Sequence, residues 1–368
     1  SSYEKRWESP QTFLFIKSNK FINEVYTKKN KDKKDPIILP ERFKWTYIDI
    51  NNIDELYDLR RFLMKNYLHG GSYLCDNSID MLRNSLFKRK QLGIRYEDNR
   101  LVGFIGRIPY VLQIYDKVVE AVEISYLSVH SIIRGYNIPP FLIREVTRIA
   151  LNETKNKGAA IFVTSFEIPK YNKLLNFTTF FRPINYKKLV ELNILPLVYR
   201  FDDITLYKFN FKCDKMQEKD ISSAHILYSN YQKDNYDIYY KFDYEGFKLL
   251  FYDHDEIISY VVKDSNGKVT DFVCISICTY NSIDSKLYYG KIMGYANSSV
   301  SIIDLMNMLI YKCYNLDLQY VICSGFGAID TFKDKCGFIP STFSGRLYLY
   351  NWLVTPTKKE RLYINFNG

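Results

Sequence analysis

The sequence predicts an α+β protein made of two similar halves, and three observations carry that expectation. Strands followed by a helix recur in the same order on either side of a polar stretch near Lys208–Lys215. In both halves the strands alternate with period two and the helices carry an apolar stripe at the 3.6 period. The chain has 368 residues, 47% of them hydrophobic, which is enough for two ordinary cores.

In chain order, Leu56, Leu59, Phe62, Leu63 and Tyr67 recur at helical spacing. Strands are expected at Leu101–Ile105 and Val111–Tyr115, with a turn at Asp116-Lys117 and a third strand from Val119 to Val129. A helix from Pro140 to Asn152 follows, because proline suits a first helical turn where its missing N–H is not needed. The second half repeats this with a helix at Ser222–Tyr231 and strands at Ile257–Lys263 and Thr270–Thr279. A helix at Ile302–Asn315 and strands at Tyr320–Cys323 and Leu347–Trp352 complete it. Between the two strands, Asn266-Gly267 is a hairpin signal.

Composition excludes whole classes. The hydrophobic fraction rules out a disordered chain, and 16 Gly with 11 Pro rule out a fibrous one. No apolar run reaches the roughly 18 residues of a membrane span. The start, Ser1-Ser2-Tyr3, carries no initiator Met and no signal-peptide core, and reads as a trimmed chain. The formal charge of +10 would suit a polyanion, but its clusters, such as Lys28–Lys34 and Lys88–Lys90, are short and read as solvated loops. No basic-aromatic motif for nucleic acid is present, and the richness in Lys, Tyr, Ile and Asn reads as AT-rich codon usage. The seven cysteines are odd in number and scattered, which argues against a disulfide framework and for a reducing cytoplasm. The four histidines form no metal-ligand spacing with them. There is no P-loop, no dinucleotide fingerprint and no hydrolase triad; His69-Gly70-Gly71 reads as a turn.

The informative segment is Glu123-Ile124-Ser125-Tyr126-Leu127-Ser128-Val129-His130 with Ser131–Pro140 behind it. A strand enters a loop holding Arg134 and Gly135, and the loop opens a helix. Backbone N–H groups there can hold a pyrophosphate, and Arg134 can add a charge-assisted contact. An ordinary strand–loop–helix connection has the same pattern.

These residues resemble the Glu-Ile-Asn-Phe-Leu-Cys-x-His signature of the glycylpeptide N-tetradecanoyltransferase, or N-myristoyltransferase, family. Further matches follow in family order: Leu39-Pro40 with Phe43 and Trp45, Leu101–Ile105 with Ile108-Pro109, Leu142–Arg148, Phe181–Leu189, Asn266–Phe272 and Leu349–Trp352. The resemblance implies two pseudo-two-fold related, acetyltransferase-like halves sharing one continuous saddle-shaped sheet. Residues 1–207 would bind myristoyl-CoA, and residues 208–368 would form the peptide groove and supply the C-terminal carboxylate. It implies a transferase with no prosthetic group that moves myristate from myristoyl-CoA to the N-terminal glycine amine of a protein, and a cytoplasmic monomer.

The resemblance also assigns residues. The main-chain amides of Tyr126 and Leu127 would polarise the thioester carbonyl, and the α-carboxylate of Gly368 would be the base. Lys5, Arg6 and Trp7 would lie over the cofactor, with Ser128 and Val129 beside it. The phosphate loop would comprise Arg134, Gly135, Asn137, Ile138 and Pro139. Ser125, Thr164, Phe181 and Thr342 fall on the peptide side. There the family pattern is altered: its Gly-x-Gly-Asp-Gly becomes Ile339-Pro340-Ser341-Thr342-Phe343, and its acidic stretch becomes Leu68-His69-Gly70-Gly71. A preference for less basic peptides is therefore expected. Two other readings of the same scaffold are an acyl-CoA or lipid binder without transfer, and an acyltransferase acting on lysine amines.

Overall fold

The structure is a computed structural model and describes residues 24–25, 35–69, 73–75, 78–86, 90–153, 159–168, 173–281, 286–354, 357–364 and 366. By internal contacts the chain divides into two compact units. The first contains residues 1–176, 345–357 and 366–368; the second contains 177–344 and 358–365.

In the first unit Phe43–Ile48, Gln91–Tyr96, Leu101–Ile114 and Lys117–Val129 pair antiparallel in succession. The chain then forms the helix Pro139–Glu153 and returns as Ala159–Thr164, parallel to Lys117–Val129. On its other side Ala159–Thr164 pairs antiparallel with Arg346–Tyr350. The helix Ile53–Asn66 begins where the Asn52 side chain accepts the N–H groups of Asp54 and Glu55, and it buries Leu56, Leu59, Phe62 and Leu63. Leu92, Ile94, Val102, Ile105 and Val129 form a core with Ile133, Ile138, Leu142 and Val146, which ties the helix and its preceding turn to the sheet.

The second unit repeats that order. Ile257–Lys263, Val269–Asn281 and Lys286–Ala296 pair antiparallel, the helix Ile302–Asn315 follows, and Tyr320–Cys323 returns parallel to Lys286–Ala296. Ser301 caps that helix by accepting the Asp304 N–H at 3.1 Å. The α+β pseudo-duplication expected from the sequence is thus present: antiparallel strands, a helix and a parallel return strand recur in each unit.

Three local expectations change. The strands foreseen at 101–105 and 111–115 are one strand, Leu101–Ile114, because Pro109 removes one donor yet keeps register with Val122. The turn foreseen at Asp116-Lys117 sits one residue earlier: Lys117 pairs with Ile114, and Tyr115 takes a φ of 51° while its carbonyl accepts the Gln113 side-chain amide. The last long strand runs Ile339–Tyr350 rather than Leu347–Trp352, because Asn351 at φ 67° breaks it and Trp352–Leu353 is separate.

All six cysteines whose side chains are described are buried and free. Burial pushes the thiols of Cys213, Cys274 and Cys336 up to about 12 and raises those of Cys278, Cys313 and Cys323 as well. Burial likewise raises the phenols of Tyr228, Tyr236, Tyr295 and Tyr363. A group whose folded pKa is raised contributes stability that is complete below its unfolded value and lost as pH climbs through the folded one. The denaturant midpoint is therefore expected to hold up to about pH 8.5 and fall between about 9 and 12. At pH 8 a thiol reagent should modify these six cysteines no faster than the chain unfolds; rapid labelling of the native protein would contradict the burial.

Candidate active site

The antiparallel ladder between Leu101–Ile114 and Lys117–Val129 is interrupted once. Phe104 pairs with Ser128 and Gly106 with Ser125, so Tyr126 and Leu127 together face the single residue Ile105. This is a β-bulge, which takes backbone out of the ladder and re-aims it. Tyr126 adopts φ 54°, a left-handed conformation that is uncommon for an aromatic residue and costs about 1 kcal/mol or more.

The surroundings hold that conformation in place. The Tyr126 ring is buried against Tyr67, with centroids 5.4 Å apart, and its hydroxyl lies 3.2 Å from the Ser85 hydroxyl. Ser85 thus accommodates the oxygen that tyrosine adds where the family signature has phenylalanine. Gly106 is equally constrained: a Cβ there would lie 3.0 Å from Ser125 Oγ and 3.1 Å from the Ser125 carbonyl oxygen. Sequence reasoning missed both Ser85 and Gly106. A glycine inside an otherwise apolar strand was the available signal for Gly106.

The hydroxyls of Ser125 and Ser128 flank the bulge, and both are buried without a hydrogen-bond partner. An unsatisfied buried hydroxyl costs about 1–3 kcal/mol, so two beside one bulge mark a place suited to a polar ligand. Leu127, between them, is exposed.

Beyond Val129 the chain makes a 3-10 turn over Ser131–Tyr136. Asn66 accepts the Ser131 N–H at 3.3 Å, and Ile133 is buried, which leaves Arg134, Gly135 and Tyr136 exposed. Asn137 closes the turn in the left-handed region at φ 58°, which asparagine tolerates better than most residues. Its presence where the family has a basic residue is therefore also a backbone matter. Pro139 and Pro140 have no N–H, and Phe141 and Leu142 both donate to the Ile138 carbonyl. The helix start thus offers no donor at its first two residues, and the exposed cation here is the Arg134 side chain in the preceding turn.

The remaining assigned residues lie apart from this cluster in the chain. Thr164 ends Ala159–Thr164, and its hydroxyl donates to the Phe166 carbonyl. Phe181 pairs with Ile322, and its ring packs on Tyr320 beside Leu189 and Leu195. That packing leaves Phe181 partly buried. Thr342 is exposed on Ile339–Tyr350. Lys5, Arg6, Trp7 and Gly368 lie outside the described residues. The segment leading to Gly368 is firmly held: Leu362–Tyr363 pairs parallel with Ile238–Lys241, and Arg361 bridges Asp237 at 2.6 Å. Tyr363 stacks on Tyr236, and Ile364 is fully buried.

Known proteins resemble this chain over most of its length. Residues 22–172 match the family model "Myristoyl-CoA:protein N-myristoyltransferase, N-terminal domain", and residues 198–363 match its C-terminal-domain counterpart. Glycylpeptide N-tetradecanoyltransferase of Drosophila melanogaster is 28% identical over 373 residues, covering 94% of this chain and 75% of that protein. Its Plasmodium falciparum counterpart is 27% identical, covering 90% and 85%. A crystal structure of Saccharomyces cerevisiae N-myristoyltransferase with bound myristoyl-CoA superposes with a TM-score of 0.84 at 23% identity, covering 96% of this chain and 93% of that one. The fold and the matched domains define an acyltransferase. More narrowly, the chain belongs to the N-myristoyltransferase family.

The bulge gives a direct test. Gly106→Ala should cost about 1–3 kcal/mol of stability through overpacking against Ser125. It should also lower acyl transfer by about 10²-fold or more if the bulge amides act as oxyanion donors. Thermal denaturation and single-turnover assays measure the two effects; unchanged turnover in a folded variant would remove the bulge from catalysis.

Proposed function

We propose that this chain transfers myristate from myristoyl-CoA to the N-terminal glycine amine of protein substrates, by direct attack on the thioester. The observation that carries the reading is the bulge at Tyr126-Leu127, inside the matched N-terminal domain. The glycine amine adds to the thioester carbonyl carbon, and the N–H groups of Tyr126 and Leu127 stabilise the oxygen as charge develops on it. The C–N bond forms, the C–S bond breaks, and coenzyme A leaves as its thiol or thiolate. The glycine nitrogen gives its proton to the α-carboxylate of Gly368, acting as general base. No covalent enzyme intermediate is needed, which accounts for a chain without a triad.

Residues 1–207 bind the acyl-CoA and residues 208–368 form the peptide groove. On the cofactor side Lys5, Arg6, Trp7, Arg134, Gly135, Asn137, Ile138 and Pro139 serve the nucleotide, with Ser128 and Val129 near the thioester. The exposed Arg134 and the turn around it support that assignment. Burying some ten methylenes of the acyl chain at about 0.8 kcal/mol each provides roughly 8 kcal/mol before entropy costs. Ser125, Thr164, Phe181 and Thr342 act on the peptide side. No described helix is long and apolar enough to cross a membrane. A cytoplasmic monomer is part of the same proposal.

Incubation with myristoyl-CoA and a library of glycine-starting peptides, read by mass spectrometry, tests the proposal. Acylation on the N-terminal glycine is expected, with lysine-free peptides favoured over lysine-rich ones. Intact acyl-CoA binding without product would select a binding protein instead, and acylated lysines would select a different acceptor. Adding residues beyond Gly368 should abolish turnover while leaving acyl-CoA affinity within about twofold; full activity would exclude the carboxylate as base.

A further inference from the structure

Each half ends an antiparallel strand, Lys117–Val129 or Lys286–Ala296, turns, and opens a helix. These two strands share a defect as well. Cys274 pairs with Gly294 and Ile275 with Ile292, so Met293 is an extra residue on the later strand, as at Tyr126-Leu127 in the first half. The turns that follow differ in what fills them.

In the second half, three successive N–H groups of the turn converge on one oxygen. Asp271 Oδ1 accepts from Ser298 at 2.8 Å, from Ser299 at 3.1 Å and from Val300 at 3.0 Å. Asp271 Oδ2 accepts the Thr270 hydroxyl at 2.9 Å and the Ser299 hydroxyl. The Asp271 side chain is fully buried. Convergent amides at the entrance to a helix are the arrangement that proteins present to phosphates and carboxylates. Here the carboxylate belongs to the chain itself.

The equivalent position in the first half carries no acid. Asp271 precedes Phe272, which pairs with Ala296, the last residue of its strand. In the first half Gly103 pairs with Val129, the last residue of its strand, and the residue before Gly103 is Val102, buried and apolar. The first-half turn carries the exposed Arg134; the second-half turn, Asn297–Ser301, carries no basic residue.

We infer that the strand–turn–helix connection of the second half is an anion cradle permanently filled by Asp271, which confines external phosphates to the first half and sets one acyl-CoA per chain. The first-half ligand rests on the proposed function; the filling of the second cradle does not.

Chemical rescue tests the assignment. Asp271→Ala empties the cradle, and its melting temperature should fall by on the order of 10 °C. Sodium formate should restore much of that loss saturably, relative to sodium chloride at equal ionic strength. Wild-type protein and Asp271→Asn, whose side chain still occupies the space, should respond equally to the two salts. A formate response in Asp271→Ala no larger than in wild type would overturn the inference. Should Asp271→Ala fold in neither salt, calorimetric titration of the wild-type protein with coenzyme A decides: one equivalent supports the assignment and two refute it. Formate rescue with no coenzyme A binding would sink the proposed function and leave the filled cradle standing.

Discussion

The close approach of two strands at Gly106 is the constraint on which the site depends. A Cβ at Gly106 would sit 3.0 Å from the Ser125 hydroxyl and 3.1 Å from its carbonyl oxygen, beside the point where Tyr126 and Leu127 crowd against one residue of the neighbouring strand. The bulge in turn places a left-handed tyrosine under Tyr67 and Ser85, and sends the strand into the turn that presents Arg134. The proposed oxyanion donors and the proposed phosphate turn thus lie on one continuous run of chain, Ser125 to Asn137, that begins at this bulge.

Much of this architecture was legible in the sequence, and the reason is local. The helices Pro139–Glu153 and Ile302–Asn315 announce themselves through a proline or a serine cap and an apolar stripe. The strand Ile339–Tyr350 did not, because Pro340 and Ser341 carry turn propensity that pairing in a sheet overrides. The residues of the bulge were found only through an ordered resemblance: Ile124 and Tyr126 read as plain strand by alternation. Ser85 and Gly106 act across gaps of 41 and 19 residues from Tyr126 and Ser125, and such meetings exist only in the folded chain.

Duplicated halves need not keep duplicated chemistry. The two units share element order and a bulge in the strand that precedes the helix, yet one has Val102 where the other has Asp271. In the second half the acid at that position satisfies the amides of its own turn. Burial of that carboxylate is tolerable because backbone amides and hydroxyls surround it, the condition under which proteins keep charge inside. The same logic separates Tyr126, strained and flanked by orphaned hydroxyls, from the second bulge, which lies in an aromatic core with Tyr228 and Phe251.

The pairing of Ala159–Thr164 with Arg346–Tyr350 bears on how the molecule is made. During synthesis the earlier strand docks beside Lys117–Val129, but its outer partner is translated only after nearly all of the second unit. Until then that edge presents unpaired N–H and C=O groups, a template for association with other nascent chains. Contacts this distant also form late and slowly. The edge of Ala159–Thr164 is therefore where an incomplete chain is most open to pairing with another chain.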